Sequence, residues 1–283
     1  MAKDQLLARP VLAALLLTAL WQLSRIVLGA AALHIGWMRA TPWLYRDIGL
    51  RICDVGVAAS LFRYVGDRRS LTTLLHPSPT TVLVCVSGIA IGLSLEAMRF
   101  AVEHGLGWFR VVGVCSNFPL GAVCCQSFLI AASEEICFRG AVLWILLGVL
   151  RPSSAIAVSA ILAACCHMTV DMYYNAATVA VLAYFFRMLS LGLLFGSAYL
   201  AFRNIWFVIG LHFGWDVLES IFYGFFGAPG AYILAWGNIG TGFLSPPNRL
   251  SYAFVIISTL FFAVYAWRVQ VSGNTWKLGE RLK

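Results

Sequence analysis

Long runs of apolar residues, more than any local motif, decide what this chain can fold into. A helix needs about 20 mostly apolar residues to cross about 30 Å of hydrocarbon. Pro10 to Leu33 meets that requirement with Arg25 as its one charge, and Thr80 to Met98 meets it until Glu96 interrupts. Ser153 to Met168, Ala176 to Ala201, Ile205 to Phe226 and Leu250 to Val269 are further candidates. Val111 to Leu150 is forty residues long, too much for one span, and contains Glu134, Glu135 and Arg139. Ile48 to Val65 is weaker because it carries Arg51, Asp54 and Arg63; counting it gives eight spans. Strands of a membrane barrel alternate apolar and polar over about 10 residues, whereas these runs are continuous. The expectation is an all-α fold, a polytopic transmembrane helical bundle of about eight spans.

Composition agrees. The chain is 61% apolar and 11% charged, against about 45–50% and 25% in soluble domains. That excludes an ordinary soluble enzyme, a disordered chain and a nucleic-acid-binding protein. The net charge of +8 does not reverse this, because the basic residues are scattered singly between apolar runs and read as membrane-edge anchors. The N-terminus resembles a signal peptide, with Lys3 and Arg9 before Val11 to Leu20. Its apolar stretch exceeds the usual ~7–15-residue core, so a retained first helix is expected.

Positive charge sets orientation. Lys3 and Arg9 precede the first run; Arg268, Lys277, Arg281 and Lys283 follow the last. Both termini are therefore expected in the cytoplasm, which requires an even number of spans. Arg63, Arg68, Arg69, Arg151 and Arg203 then fall to the cytoplasmic loops, and Arg39, Arg46, Arg99, Arg110 and Arg249 to the other side. Arg outnumbers Lys 17 to 3, which fits a bacterial inner membrane. The eight cysteines form no C-x-x-C and lie in apolar runs, the pattern of small buried hydrophobes.

An ionisable group in the middle of an apolar helix costs about 2.5–3.5 kcal/mol even on a lenient scale. Such groups persist where they pair, line a cavity or do chemistry. Three places stand out. In Ser133-Glu134-Glu135-Ile136-Cys137-Phe138-Arg139, adjacent carboxylates point about 100° apart on a helix. Arg139 lies four after Glu135 and can pair with it; Glu134 has no partner on its own helix, which suits a general base or acid. His167 ends Ala163-Ala164-Cys165-Cys166-His167. His212 and Asp216 stand at i and i+4 on one helical face. Each alone reads equally as a packing contact. Together they would make a polar pocket inside a membrane bundle. His34, His76 and His104 carry no pattern.

The three places in this order resemble the CPBP family, the CAAX protease and bacteriocin-processing (Abi) intramembrane proteases. That family's pattern is E-E-x-x-x-R, then F-x-x-x-H, then H-x-x-x-N/D. Glu134-Glu135 with Arg139 fit the first motif, His167 the second, with Ala163 in place of its Phe, and His212 with Asp216 the third. The resemblance covers about 118–226. It implies a catalytic helical core over 111–226, preceded by transmembrane helices over 1–110 and followed over 227–283 by a loop, a last span and a basic tail. It further implies glutamic-type hydrolysis of a peptide bond in a membrane-anchored or lipidated substrate, without a cofactor. Glu134 and His167 would activate water, His212 and Asp216 would stabilise the oxyanion, and Glu135 and Arg139 would hold the site together. Asp216 has two possible forms: a protonated carboxyl that donates directly, or a carboxylate that orients His212. Other readings stay open: a zinc metalloprotease using His167, His212 and a carboxylate, although no H-E-x-x-H occurs; a proton-coupled transporter; and a non-catalytic immunity partner.

Overall fold

A computed structural model describes residues 9–34, 43–65, 78–174, 178–224, 232–236 and 246–271. Its helices are α1 (Pro10–His34), α2 (Trp43–Val65), α3 (Pro79–Gly105), α4, α5 (Pro152–Tyr174), α6 (Thr178–Phe202), α7 (Ile205–Tyr223) and α8 (Pro246–Val271). Helix α4 is α-helical over Leu120–Glu135, π-helical over Ile136–Leu143 and α-helical again over Trp144–Leu147. Helices thus lie on each apolar run read from the sequence, and the fold is an all-α bundle.

Four segments are long and apolar enough to cross a bilayer among the described residues: Pro10–Ala32, Pro79–Gly105, Tyr184–Phe202 and Ile205–Tyr223. Burial is inverted relative to a soluble protein. Leu83 is 69% exposed, and Val27, Ile257 and Phe261 also face outward, whereas Glu96 and Glu135 are wholly buried. Large apolar side chains outside and carboxylates inside suit a hydrocarbon solvent, which rewards apolar contact and leaves charges only the bundle interior.

The centre of the bundle is the middle of α4. Every residue from Ile130 through Leu143 is buried, as expected of a helix enclosed on all sides. The π-helical stretch touches α1, α2, α5, α6 and α7. Trp21 of α1 meets Phe138 edge-on at 5.2 Å, and Phe62 of α2 packs over Gly140, where an added Cβ would stand 3.1 Å from its ring.

Helices α3 and α7 cross at backbone contact. Gly88 and Gly92 face the carbonyls of Phe207 and Leu211, while Gly210 and Gly214 face those of Cys85 and Ile89. A Cβ at any of the four would collide with backbone, which cannot swing aside. This reciprocal small-xxx-small seam fixes the depth at which α7 carries His212 and Asp216.

Two sequence expectations need correction. The forty-residue run Val111–Leu150 divides: Phe109–Val114 is strand β1, pairing antiparallel with β2 (Tyr232–Trp236) across a bulge between Val111 and Gly113. The β-branched Val111, Val112 and Val114 favour extended backbone, and Pro119 stands at the N-cap of α4. Arg99 is not a loop residue. Helix α3 continues to Gly105, and Arg99 is buried in it, paired with Glu96 and Glu103. Lys3, Arg39, Arg68, Arg69, His76, Lys277, Arg281 and Lys283 lie outside the described residues.

Candidate active site

The π-helical stretch begins directly after Glu134 and Glu135. Its wider winding leaves Glu135 and Arg139 on a common face: Arg139 Nη1 donates to Glu135 Oε1 at 3.1 Å. Arg139 Nη2 donates to the Gly192 carbonyl at 3.1 Å. Its guanidinium carbon lies 5.4 Å from the Phe195 ring centroid. One side chain therefore ties α4 to α6. The expected ion pair is present, and it is buried on both sides.

Glu134 points elsewhere, toward α5. Its Oε1 lies 3.3 Å from His167 Nε2. His167 Nδ1 is 2.8 Å from the Ala163 carbonyl. A carbonyl only accepts, so Nδ1 carries hydrogen. Nε2 is then either the lone pair of a neutral ring facing a carboxyl proton, or the second N–H of an imidazolium facing a carboxylate. In both states Glu134 and His167 share one proton, the arrangement that proton transfer to and from water requires. The partner that Glu134 lacks on its own helix is supplied by the next one.

His212 of α7 is held at both ring nitrogens. Nδ1 is 2.8 Å from Glu135 Oε1, and Nε2 is 3.3 Å from Asp216 Oδ2. The ring stacks on Phe195, with centroids 4.5 Å apart and planes 20° from parallel. Glu135 Oε1 also accepts from Arg139, so toward His212 it is again the acceptor and Nδ1 the N–H donor. In the orienting form of Asp216 the other ring nitrogen would serve the oxyanion; that nitrogen lies 2.8 Å from Glu135 Oε1. Between His212 Nε2 and Asp216 Oδ2 one hydrogen is shared, carried either as an N–H or as a carboxyl O–H, at the edge of the cavity.

All six sequence candidates converge. Glu134, His167, Arg139, His212 and Asp216 line one cavity of about 330 Å³, and Glu135 sits behind it on Arg139 and His212. Among the described residues no three His, Cys, Asp or Glu side chains converge as metal ligands do.

The cavity also holds residues that the sequence reading did not select. Arg25 of α1 and Arg51 of α2 contribute to its wall, as do Tyr184 and Arg187 of α6 and Glu219 of α7. Glu219 joins a second buried network: it pairs with Arg187 and Arg99, Arg99 pairs with Glu96 and Glu103, and the Tyr223 hydroxyl donates to Glu103 Oε2 at 2.7 Å. Arg99 also sits 4.5 Å from the Tyr223 ring centroid. A signal existed for Arg25, Arg51, Arg187 and Glu219, since each is an ionisable residue inside an apolar run.

Comparison with known proteins agrees with the motif reading. The family model described as type II CAAX prenyl endopeptidase Rce1-like matches residues 116–218. That stretch spans α4 to α7 through Asp216 and contains every motif residue. The match is consistent with the CPBP family, and with the apolar helices it marks an integral membrane protein. No curated protein matches the chain.

Proposed function

We propose that this protein is an intramembrane endopeptidase of glutamic type that hydrolyses a peptide bond in a membrane-associated or C-terminal-tail substrate. The observation that carries the reading is the Glu134–His167 contact, facing the same cavity as His212 and Asp216. The match to a family described as CAAX prenyl endopeptidase supports the peptide bond as the target.

In this reading Glu134 takes a proton from a water while the water oxygen bonds to the scissile carbonyl carbon. The negative charge moves to the carbonyl oxygen, where the hydrogen carried by Asp216 or by His212 Nε2 stabilises it. The tetrahedral intermediate collapses as the C–N bond breaks, and the proton held between Glu134 and His167 passes to the leaving amine. One water is consumed and nothing is oxidised. Arg139 and Glu135 act through His212, holding its ring against Phe195. Helix packing excludes bulk water, which strengthens each of these electrostatic contacts.

The membrane setting belongs to the same proposal. Exposed Arg9 before α1 and exposed Arg268 near the end of α8 support cytoplasmic termini and eight spans in a bacterial inner membrane. Mass spectrometry of membrane peptides from cells with the wild-type chain and with Glu134→Gln tests the function. The variant accumulates in the membrane and peptides ending at a common cleavage position disappear. Unchanged cleavage products in Glu134→Gln refute the mechanism.

A further inference from the structure

Packed pairs fix the direction of each helix, and with it the face of the bundle to which each helix end belongs. Ser159 of α5 donates to the Phe138 carbonyl at 3.2 Å, and His167 meets Glu134, so α5 runs against α4. Gly192 and Gly196 of α6 lie on Ala160 and Ile156 of α5, so α6 turns back again. Between α6 and α7 the pairs Phe202–Phe207, Phe195–His212 and Arg187–Glu219 lead away from the Arg203–Asn204 turn. Helix α3 runs parallel to α7, from Gly88 beside Phe207 to Glu103 at Tyr223. Trp21 of α1 and Phe62 of α2 meet Phe138 and Gly140, while Arg25 and Arg51 reach the wall that Glu134 lines. Phe262 and Tyr265 of α8 meet Phe202. One face therefore gathers the start of α1, the ends of α2, α4, α6 and α8, and the starts of α3, α5 and α7. The sheet and the remaining helix ends belong to the other.

The cavity does not sit midway between these faces. Its half-buried wall residues are Tyr184, Arg187 and Met188 in the first half of α6 and Gly224 just past α7, all toward the face of the sheet. In the opposite direction it is closed. Beyond Arg139 on α4, Val142, Leu143 and Leu146 are wholly buried, as are Ala198 on α6 and Val208 and Ile209 on α7. The opening therefore lies toward the face of the sheet, away from the start of α1 and the end of α8. Surface charge separates the same two faces. Exposed Arg9, Arg63, Arg151, Arg203 and Arg268 stand on the closed face, and Lys277, Arg281 and Lys283 follow it in the sequence. The open face holds exposed Arg110 on β1, with Arg46 and Arg249 in the first turns of α2 and α8. Arg99 adds nothing there, because it is buried in its ion pairs. An excess of Lys and Arg marks the cytoplasmic side.

We propose that the active-site cavity opens on the non-cytoplasmic side of the membrane, and that its substrate is an exported, membrane-anchored polypeptide cut near the outer end of its anchor. The proposal rests on the endopeptidase reading above and on cytoplasmic termini. Water reaches Glu134 through the same opening. A tail in the cytoplasm meets the closed face, and its polar backbone has no hydrogen-bonded path through about 30 Å of hydrocarbon to the other side.

The test labels the full chain in bacterial spheroplasts with a membrane-impermeant maleimide, which needs a thiolate in contact with water. Three variants are compared with the wild-type chain, whose own cysteines set the background: Arg110→Cys on β1, Met188→Cys in the cavity wall and Arg151→Cys on the closed face. Arg110→Cys and Met188→Cys are labelled in intact spheroplasts, and Arg151→Cys stays at background until the membrane is permeabilised. Val112→Cys, Tyr184→Cys and Arg63→Cys replace, in the same order, any variant that fails to fold. Labelling of Arg151→Cys from outside, with Arg110→Cys reacting only after permeabilisation, overturns the side. Met188→Cys that reacts only after permeabilisation, or not at all, overturns the opening. The substrate class is read from membrane peptides that are present with the wild-type chain and lost with Glu134→Gln. Their cleavage positions fall at the anchor ends away from flanking Lys and Arg. Cleavage at the Lys- and Arg-flanked ends overturns the substrate class. No cleavage dependent on Glu134 overturns the endopeptidase reading, while the labelling still decides on which side the cavity opens.

Discussion

Replacing Arg139 by methionine removes two hydrogen bonds, one to its own helix and one to α6. Its donation to Glu135 Oε1 and its donation to the Gly192 carbonyl go together. Glu135 is wholly buried and its Oε2 has no hydrogen-bond partner among the described residues. Its charge then depends on His212 alone. Breaking a buried pair by removing one partner costs about 3–5 kcal/mol, because the remaining charge is stranded. Arg139→Met is therefore expected to lose about that much stability. Glu135→Gln with Arg139→Met strands no charge, so the double variant should be more stable than the two single losses predict, by about 0.5–3 kcal/mol. Denaturant unfolding in mixed micelles, with all four members of the cycle compared, reads this coupling. Arg139→Met with wild-type stability, or a cycle additive within about 0.5 kcal/mol, refutes the pairing as a determinant of the fold.

Three further outcomes follow from the geometry. Asp216→Asn keeps substantial activity and extends it toward higher pH, because Asn donates without ionising, whereas Asp216→Ala loses about 10²–10³ in rate, as removal of one oxyanion donor does. A folded Asp216→Asn as inactive as Asp216→Ala would transfer the role from donor to orienting charge. Purified protein retains peptide cleavage after prolonged chelation, followed by a fluorogenic assay; loss that zinc restores would favour the metalloprotease reading. Gly92→Val prevents α3 from seating on α7, where even a Cβ meets the Leu211 carbonyl, and lowers folded yield by fluorescence size exclusion. Gly29→Ala, which meets nothing within 4 Å, leaves the yield unchanged and serves as its control.

The candidate site was legible because its members announce themselves locally. Glu134 stands beside Glu135, Arg139 four residues on, and Asp216 four after His212, so each motif is visible within one helical turn. Arg25, Arg187 and Glu219 satisfy the same rule, an ionisable group inside an apolar run, yet stand without a partner nearby in the chain. Arg187 finds Glu219 32 residues later, and Glu103 receives the Tyr223 hydroxyl across 120. Only tertiary packing supplies those partners, whereas Glu96, Arg99 and Glu103, and Arg51 with Asp54, pair within their own helices. The π-helical stretch over Ile136–Leu143 has no signature in residue type, and its position follows from five neighbouring helices closing around α4.

The end of α3 shows how the physical rule itself has to change in a membrane. Hydropathy falls at Glu96, and that fall reads as the helix reaching water. Yet Glu96, Arg99 and Glu103 are spaced by three and four residues, the interval that places side chains on one helical face. In a soluble protein such a stripe is the solvated side of a helix. Here the opposite face carries Leu83 and Met98 outward, so the charged stripe is the inner one. It packs against Tyr223 and Glu219. The stripe that breaks a hydropathy window is therefore the one that docks α3 onto α7, and its phase says which face of the helix is core. Read this way, charge spacing inside apolar runs locates the interior of the bundle: the same criterion selects Glu135 with Arg139 on α4, Arg51 with Asp54 on α2, and His212 with Asp216 on α7.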